Sequence, residues 1–249
     1  MAVENLQGKV ALVTGGSRGL GAASARRLAE AGADVAIAYE KSADRAKEVV
    51  RELEGLGVSA MAVRADQGNR NDVKNLVAQV VGQFGRIDIL VNSAGIFLGG
   101  PMGSLTPEQN DRLWAVNVHG VVATTTEAVA HMPDGGRVIS MGTIAAQRAF
   151  MAGFGDYAAT KAALSIYGRS WAHELAPRRI TVNTVVSAFA ETDMGIPEDS
   201  DLGRRLLGLA PLHRYAKPAE VAAAVAFLAG PEASYVTGVD ITVDGGWNA

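Results

Sequence analysis

Seven short runs of apolar and β-branched residues recur along the chain, and longer amphipathic stretches separate most of them. They predict strands at residues 9–14, 35–39, 59–65, 87–92, 137–141, 181–186 and 239–243. Most of the runs lack a regular polar alternation, which is typical of strands buried on both faces of a sheet. Strands of this kind that alternate with helices predict βαβ units and a mostly parallel sheet.

Helices are predicted between these strands, because apolar residues recur there at steps of three and four. The predicted helices cover residues 20–31, 43–56, 70–84, 107–130, 157–176 and 219–229. The fourth begins with clear signals, since Thr106 is a suitable N-cap, Pro107 follows it, and Gln109 lies three residues past the cap.

Residues 187–212 interrupt the alternation with prolines, glycines and a cluster of acids. We predict a long loop with a short helix, which in a compact α/β domain is more often a binding loop than a linker. The chain has 249 residues, and α/β domains of that length occur as one unit. No internal repeat or low-complexity boundary divides it, so residues 1–249 are predicted to form a single domain, with 187–212 as its substrate loop.

Charge, composition and the lengths of the apolar runs argue against several classes of function. The formal net charge is −3 with acids and bases interspersed, so we expect no nucleic-acid partner. The chain has no cysteine, and its four histidines lack metal-ligand spacing, so we predict no disulfide and no metal site. The N-terminal residues lack an export pattern, and no apolar run has the ~18 residues of a membrane span, so a cytoplasmic location is expected.

A glycine-rich turn directly follows the first strand and reads Thr14-Gly15-Gly16-Ser17-Arg18-Gly19-Leu20-Gly21. Glycines in such a turn let the backbone approach a pyrophosphate, and the next helix offers it unpaired N–H groups. By itself the turn leaves two interpretations open, because glycine also serves ordinary strand-to-helix turns.

The spacing of this turn resembles the phosphate loop of the classical short-chain dehydrogenase/reductase family, Thr-Gly-x-x-x-Gly-x-Gly. Four later segments resemble the same family in the same order. They are Asn92-Ser93-Ala94-Gly95, Asn117-Val118-His119-Gly120, Tyr157-x-x-x-Lys161 and Val243-Asp244-Gly245-Gly246-Trp247. The resemblance covers nearly the whole chain. It implies a Rossmann-like, doubly wound three-layer sandwich with a seven-stranded, mostly parallel sheet, and a homotetrameric assembly.

By this resemblance the chain binds a nicotinamide dinucleotide. The implied cofactor-binding residues are Gly15, Ser17, Arg18, Gly19, Leu20, Gly21, Tyr39, Lys41, Ser42, Asp66, Gln67, Asn92, Ala94, Gly95, Tyr157, Lys161 and Thr192. An acid usually ends the second strand where NAD is preferred, and this chain has Tyr39 there. Arg18, Lys41 and Ser42 favour the 2′-phosphate of NADP(H), whereas Glu40 would repel it, so NAD(H) stays the alternative.

Tyr157 and Lys161 lie four residues apart in a predicted helix, so their side chains share one face. A nearby ammonium should lower the pKa of the tyrosine from ~10 toward the range that acid–base catalysis needs. The resemblance implies that Tyr157 exchanges a proton with the substrate oxygen, that Lys161 binds the nicotinamide ribose and that Asn117 holds a water that passes protons onward.

The family has a serine shortly after the fifth strand, and Thr143 occupies that position here. Threonine keeps the hydroxyl donor but adds a methyl group that restricts the side chain. Ser140 also carries a hydroxyl, but it lies inside the predicted strand and is assigned a structural role. The implied catalytic residues are therefore Asn117, Thr143, Tyr157 and Lys161.

The substrate side departs from the family in one further place. Many members have Pro-Gly after the sixth strand, where this chain reads Ser187-Ala188-Phe189. Four phenylalanines are expected in loops at the carboxyl ends of strands, which predicts a small hydrophobic carbonyl or alcohol as substrate. They are Phe97, Phe150, Phe154 and Phe189. Two alternatives to a ketoreductase remain: a nucleotide-binding sensor or scaffold with weak catalysis, and an NAD(P)-dependent epimerase on the same fold.

Overall fold

The computed structural model describes residues 5–249 and contains one seven-stranded sheet. The strands are β1 (Val10–Thr14), β2 (Asp34–Tyr39), β3 (Ala60–Arg64), β4 (Ile89–Asn92), β5 (Arg137–Thr143), β6 (Thr181–Ser187) and β7 (Asp240–Val243). Their order is β3-β2-β1-β4-β5-β6-β7, and all pairings between these strands are parallel. All seven predicted strands are confirmed, within three residues at each end.

Within the described part of the chain, eight α-helices accompany the strands. They are α1 (Gly19–Glu30), α2 (Ala43–Gly55), α3 (Arg70–Phe84), α4 (Pro107–Trp114), α5 (Gly120–Ala130), α6 (Gly155–Leu175), α7 (Asp201–Leu207) and α8 (Pro218–Ala229). The predicted start of α4 is confirmed, because Thr106 and Gln109 form a reciprocal capping box and Pro107 opens the helix. The predicted helix 107–130 is interrupted, since a π-helical turn (Ala115–His119) joins α4 to α5.

Helices cover both faces of the sheet and give it three layers. On one face, buried side chains of α1, α2 and α8 pack against alternate residues of the strands, among them Ala11, Val13 and Ile37. On the other face, α3, α5 and α6 pack against the remaining ones, such as Leu12 and Leu90. Because both faces are covered, the central strands β1 and β4 are buried along their whole length, which explains their lack of polar alternation.

The order of the strands reverses between β1 and β4. The chain runs outward from β1 through β2 to β3, returns to β4 on the other side of β1, and then continues toward β7. A crevice forms at such a point beyond the carboxyl ends of the strands, and ligands of open α/β sheets bind there. The glycine turn after β1 and residues 93–95 after β4 both lie at this edge.

Residues 188–217 separate β6 from α8. An isolated bridge between Ala190 and Ala216 closes most of the segment into a loop, and the short helix α7 lies inside it, as predicted. Leu206 and Ala210 anchor the loop by packing with Trp247 and Val186 in a small buried cluster. Within residues 5–249, no helix is both long and apolar enough to cross a membrane.

Candidate active site

The glycine turn after β1 is packed too tightly for side chains. A Cβ atom on Gly15 would lie 2.8 Å from the Cα of Ala94, and one on Gly21 would lie 2.3 Å from the carbonyl oxygen of Gly15. Gly15 and Gly19 also have positive φ angles of 66° and 55°. The Thr14 hydroxyl accepts hydrogen bonds from the backbone N–H groups of Ser93 and Ala94, at 3.1 Å each, and so ties this turn to the loop after β4.

A cavity of about 410 Å³ extends from the glycine turn to Tyr157. Most of the predicted site residues line it: Gly15, Ser17, Arg18, Gly19, Leu20, Gly21, Tyr39, Lys41, Ser42, Gln67, Ala94, Gly95, Thr143, Tyr157, Lys161 and Thr192. Asp66, Asn92 and Asn117 do not. A volume of this size at a topological switch point, with backbone N–H groups of a helix N-terminus at one end, has the room and the donors that a dinucleotide needs.

The end of β2 carries charges of both signs beside the cavity. Glu40 follows Tyr39, the last residue of the strand, and its Oε1 lies 3.6 Å from the Lys41 ammonium and 3.5 Å from the Arg112 guanidinium. The carboxylate is therefore compensated rather than isolated. Asp193, which also lines the cavity, forms ion pairs with Arg18 and with Arg45 of α2.

Asp66 lies after β3 and faces Arg112 rather than the cavity. Arg112 donates two hydrogen bonds to its carboxylate, at 2.8 and 2.9 Å, and the Gly68 N–H donates another at 2.8 Å. Burial alone would raise the pKa of Asp66, but these hydrogen bonds outweigh it and lower the pKa below its ordinary value. The neighbouring Ala65 and Gln67 line the cavity in its place.

Asn92 ends β4 and is also buried outside the cavity. Its Nδ2 donates to the Thr125 hydroxyl at 3.1 Å, which holds the end of β4 against α5. We infer that Asn92 supports the loop 93–95 instead of lining the path of a ligand with its side chain.

Tyr157 and Lys161 lie in the first two turns of α6 and both reach the cavity, as their spacing predicts. The prediction that Lys161 lowers the pKa of Tyr157 is wrong for this structure. Burial raises the pKa of Tyr157 to about 12 and lowers that of Lys161 to about 8. Burial deprives the charged form of each group of its hydration, and this desolvation sets both directions. The Lys161 ammonium donates to the Met141 carbonyl at 2.9 Å, which favours its charged form but does not outweigh the burial.

Thr143 is the last residue of β5 and borders the same cavity. Its Oγ1 accepts a hydrogen bond from the Ala145 N–H at 3.3 Å and caps the short 3₁₀ turn Ile144–Ala146. A hydroxyl that accepts in this way keeps its own proton for donation. Ser140 lies inside β5, buried opposite Asn92, and does not line the cavity.

Asn117 lies in the π-helical turn and is fully buried. Its carboxamide accepts from the N–H of Ile96 and donates to the carbonyl of the same residue, both at 2.9 Å, and it also donates to Thr160 at 3.2 Å. A Cβ on Gly95 would lie 3.3 Å from Asn117 Oδ1 and 3.4 Å from Lys161 Nζ. The side chain is thus a neighbour of the lysine, but its amide is engaged by the backbone of the cavity wall.

Aromatic rings form the wall of the cavity next to Tyr157. Phe97 packs edge-on against Tyr157 with centroids 5.1 Å apart and against Phe154 at 5.0 Å, and Phe150 continues the row at 5.3 Å from Phe154. Phe189 follows at 6.0 Å from Phe150. The four phenylalanines noted in the sequence therefore meet in one cluster and all line the cavity.

Several lining residues were missed from the sequence, among them Ile96, Met141, Gly142, Asp193 and Met194. Ile96, Met141 and Gly142 lie at or beyond the carboxyl ends of β4 and β5, so their positions in the chain could have indicated them. Asp193 and Met194 belong to the loop after β6, and no sequence pattern indicates which of its side chains turn inward.

Comparison with known proteins places this geometry among enzymes. A family model described as enoyl-(acyl carrier protein) reductase matches residues 15–248. Among solved structures, a short-chain dehydrogenase from Burkholderia cenocepacia J2315 in complex with NADP is 47% identical, with a TM-score of 0.96. That match covers 98% of this chain and 100% of the other.

Two curated relatives match over nearly their full lengths. The cyclic-di-GMP-binding biofilm dispersal mediator protein of Escherichia coli K12 is 40% identical, and the match covers 97% of this chain and 98% of that protein. Versicolorin reductase 1 of Aspergillus parasiticus is 37% identical, with 97% of each chain covered.

Proposed function

This chain belongs to the short-chain dehydrogenase/reductase family of NAD(P)-dependent oxidoreductases, and on that premise we propose that it is a ketoreductase. It transfers hydride between NADP(H) and a small hydrophobic carbonyl or alcohol, with Tyr157 as general acid and base. The observation that carries the proposal is the single cavity that joins the glycine turn to Tyr157, Lys161 and Thr143.

The residues fit a nicotinamide dinucleotide. Gly15 and Gly21 leave no room for a Cβ, so the turn bends tightly into the N-terminus of α1, whose unpaired N–H groups can bind a pyrophosphate. NADP(H) is the preferred form, because Arg18, Lys41 and Ser42 line the cavity near the end of β2 and Glu40 is compensated there. The NADP-bound Burkholderia relative supports this assignment.

In the proposed reaction the cofactor supplies or accepts the hydride, and Tyr157 supplies or accepts the proton. When bound, the nicotinamide supplies the hydride in reduction and accepts it in oxidation. In reduction Tyr157 donates its proton to the carbonyl oxygen as the C=O π bond breaks, and its raised pKa keeps it in the proton-bearing form at neutral pH. In oxidation the phenolate accepts the proton from the alcohol.

Lys161 and Asn117 have supporting roles in the proposed reaction. The lysine holds a buried ammonium beside the cavity, and its role, implied by the family resemblance, is to bind the nicotinamide ribose. Asn117 acts as a positioning residue, because its carboxamide fixes Ile96 of the cavity wall and Thr160 of the catalytic helix. A water relay at Asn117, implied by the family resemblance, stays a prediction.

Thr143 is assigned the hydrogen bond to the substrate oxygen. A Thr143→Val variant should lose about 10²–10³-fold in kcat, as enzymes do when one donor to a developing oxyanion is removed. A Thr143→Ser variant keeps the donor and should remain within a few fold of the parent. Steady-state kinetics of both variants would check this, and a valine variant of unchanged kcat would exclude the role.

The substrate is proposed to be an aryl or other hydrophobic ketone. Phe97, Phe150, Phe154 and Phe189 line one wall, and flat apolar rings pack well against such a surface. The relative named versicolorin reductase 1 supports the assignment as a reductase. Residues 187–212 form the substrate loop of a single domain covering residues 1–249.

Consumption of NADPH with a panel of carbonyl compounds tests the function directly. We expect turnover with aryl ketones and little with small charged ketones, because phenylalanine rings form the wall next to Tyr157. A preference for small charged ketones would overturn the substrate class. Racemisation or epimerisation without net change in the cofactor would instead indicate the epimerase alternative.

A nucleotide-binding sensor is the second candidate, favoured by the E. coli relative whose name describes cyclic-di-GMP binding. The panel of carbonyl compounds separates a sensor from an enzyme, since tight cofactor binding without turnover would support a sensor.

A homotetramer is also proposed. Ile166 and Tyr167 support it, because they leave apolar surface exposed on α6. Sedimentation measurements would test it.

A further inference from the structure

Arg112 connects two acidic residues beside the ends of β2 and β3, where the proposed cofactor would place its adenosine. It reaches from α4 to Asp66 after β3 with two hydrogen bonds, at 2.8 and 2.9 Å, and its Nη2 lies 3.5 Å from Glu40 Oε1 after β2. Glu40 lines the cavity beside Arg18 and Ser42, whereas Arg112 does not line it. The guanidinium therefore acts on the cavity through Glu40.

The position of this guanidinium is built into the backbone around it. A Cβ on Gly68 would lie 2.5 Å from Arg112 Nη1 and 3.3 Å from a methyl group of Val116. The missing side chain at residue 68 leaves the space that the guanidinium occupies, and the bidentate bond to Asp66 fixes its plane. Arg112 is thus held in place and is not a freely moving surface charge.

The charge balance at this end of the cavity depends on Arg112. Lys41 and Arg112 contribute two positive charges, and Glu40 and Asp66 contribute two negative ones, so the group is neutral as it stands. Without Arg112 the group carries one net negative charge, and among residues 5–249 Glu40 keeps only the highly exposed Lys41 as an ion-pair partner. A carboxylate in that position accepts a hydrogen bond from a ribose 2′-hydroxyl and repels a 2′-phosphate.

We propose that Arg112 is a positioning residue that sets the preference for the 2′-phosphorylated cofactor, because it neutralises Glu40 at the ribose end of the cavity. The inference rests on the proposed NADP(H)-dependent function and deepens it. It also explains why Glu40, which by sequence argues against NADP(H), is compatible with it.

Binding of two cofactor fragments tests the inference without catalysis. Adenosine 2′,5′-bisphosphate carries the 2′-phosphate and 5′-AMP does not, so the ratio of their Kd values by isothermal titration calorimetry isolates the preference. In Arg112→Met we expect the preference for the bisphosphate to fall about tenfold, the scale of one lost charge interaction near a protein surface. A weakened adenine site around Asp66 affects both fragments and cancels in the ratio.

Two further variants keep the test decisive. Adding Glu40→Gln to Arg112→Met should restore the preference, because it removes the carboxylate that the arginine compensated. Gly68→Ala displaces the guanidinium without deleting it and should also lower the preference. Arg26→Met is the matched control, since Arg26 pairs with Glu52 at 2.6 Å, is 42% exposed and lies outside the cavity lining.

Failure of the inference and failure of the proposed function give different results. If the parent protein binds both fragments equally well, the proposed preference for NADP(H) is wrong. If the parent prefers the bisphosphate and Arg112→Met keeps that preference, or if Glu40→Gln fails to restore it, Arg112 serves only to tie α4 to the loop after β3 and the inference is overturned.

Discussion

A Tyr157→Phe variant is expected to lose about 10²–10⁴-fold in kcat, the usual contribution of a positioned general acid. The change removes one hydroxyl and keeps the ring, so the edge-on contact with Phe97 at 5.1 Å should survive. The raised pKa keeps Tyr157 protonated and ready to donate in reduction at neutral pH, and because both directions share one transition state, its loss should lower kcat/KM equally in reduction and oxidation.

Single-turnover and steady-state kinetics with NADPH and an aryl ketone would measure this effect, together with the Kd of NADPH by fluorescence. The Kd should change little, since the glycine turn and the end of β2 are untouched. Tyr167→Phe is a matched control, because Tyr167 lies on the same helix and is 37% exposed. A Tyr157→Phe variant with near-parental kcat would remove the basis of the proposed mechanism.

A Lys161→Met variant should be almost inactive and yet more stable than the parent at neutral pH. Lys161 is buried, and burial lowers its pKa from 10.5 to about 8. Between these two values the unfolded chain binds a proton that the folded protein does not, so the stability of the parent rises with pH in that window. Below pH 8 the full cost of burying the ammonium is present.

Removal of that cost should stabilise the variant by about 1–3 kcal/mol at pH 7, after allowance for the lost hydrogen bond to Met141. A chain of this length should then melt about 2–4 °C higher for each kcal/mol. Urea unfolding at pH 7 and at pH 10.5 would check it, because the gain should shrink at the higher pH. Lys74→Met removes an exposed lysine of α3 and should change neither quantity. A less stable Lys161→Met protein would contradict this account.

Much of the fold could be predicted because its signals are local. Each strand buried on both faces reads as an apolar run, and the N-cap at Thr106 is written into consecutive residues. Gly15, Gly19 and Gly21 belong to one short motif between a strand and a helix. The turn, which forms one end of the cavity, could therefore also be predicted from the sequence. The pair Tyr157 and Lys161 follows from helical periodicity in the same way.

The features that the sequence did not indicate depend on contacts between distant segments. Arg112 lies 46 positions from Asp66, and Asp193 lies 148 positions from Arg45, so neither ion pair has a local pattern. The sequence predicted that the pKa of Tyr157 is lowered, and the structure raises it. The prediction was wrong because spacing in a helix indicates which side chains are close but not how deeply they are buried. Trp247, which packs on Phe150 at 4.6 Å, joins the aromatic cluster only through the tertiary fold.

The π-helical turn at Ala115–His119 has a consequence for the spacing of the chain itself. Such a turn holds one residue more than an α-helical turn of similar length. Deleting His119 should therefore allow α4 and α5 to join as one regular helix, in which residues outside the turn keep their faces and those inside it, Asn117 among them, move to new positions around the axis. Asn117 would then lose its hydrogen bonds with Ile96 and Thr160. The extra residue in this turn is therefore as much a part of the site as the side chains that the helix carries.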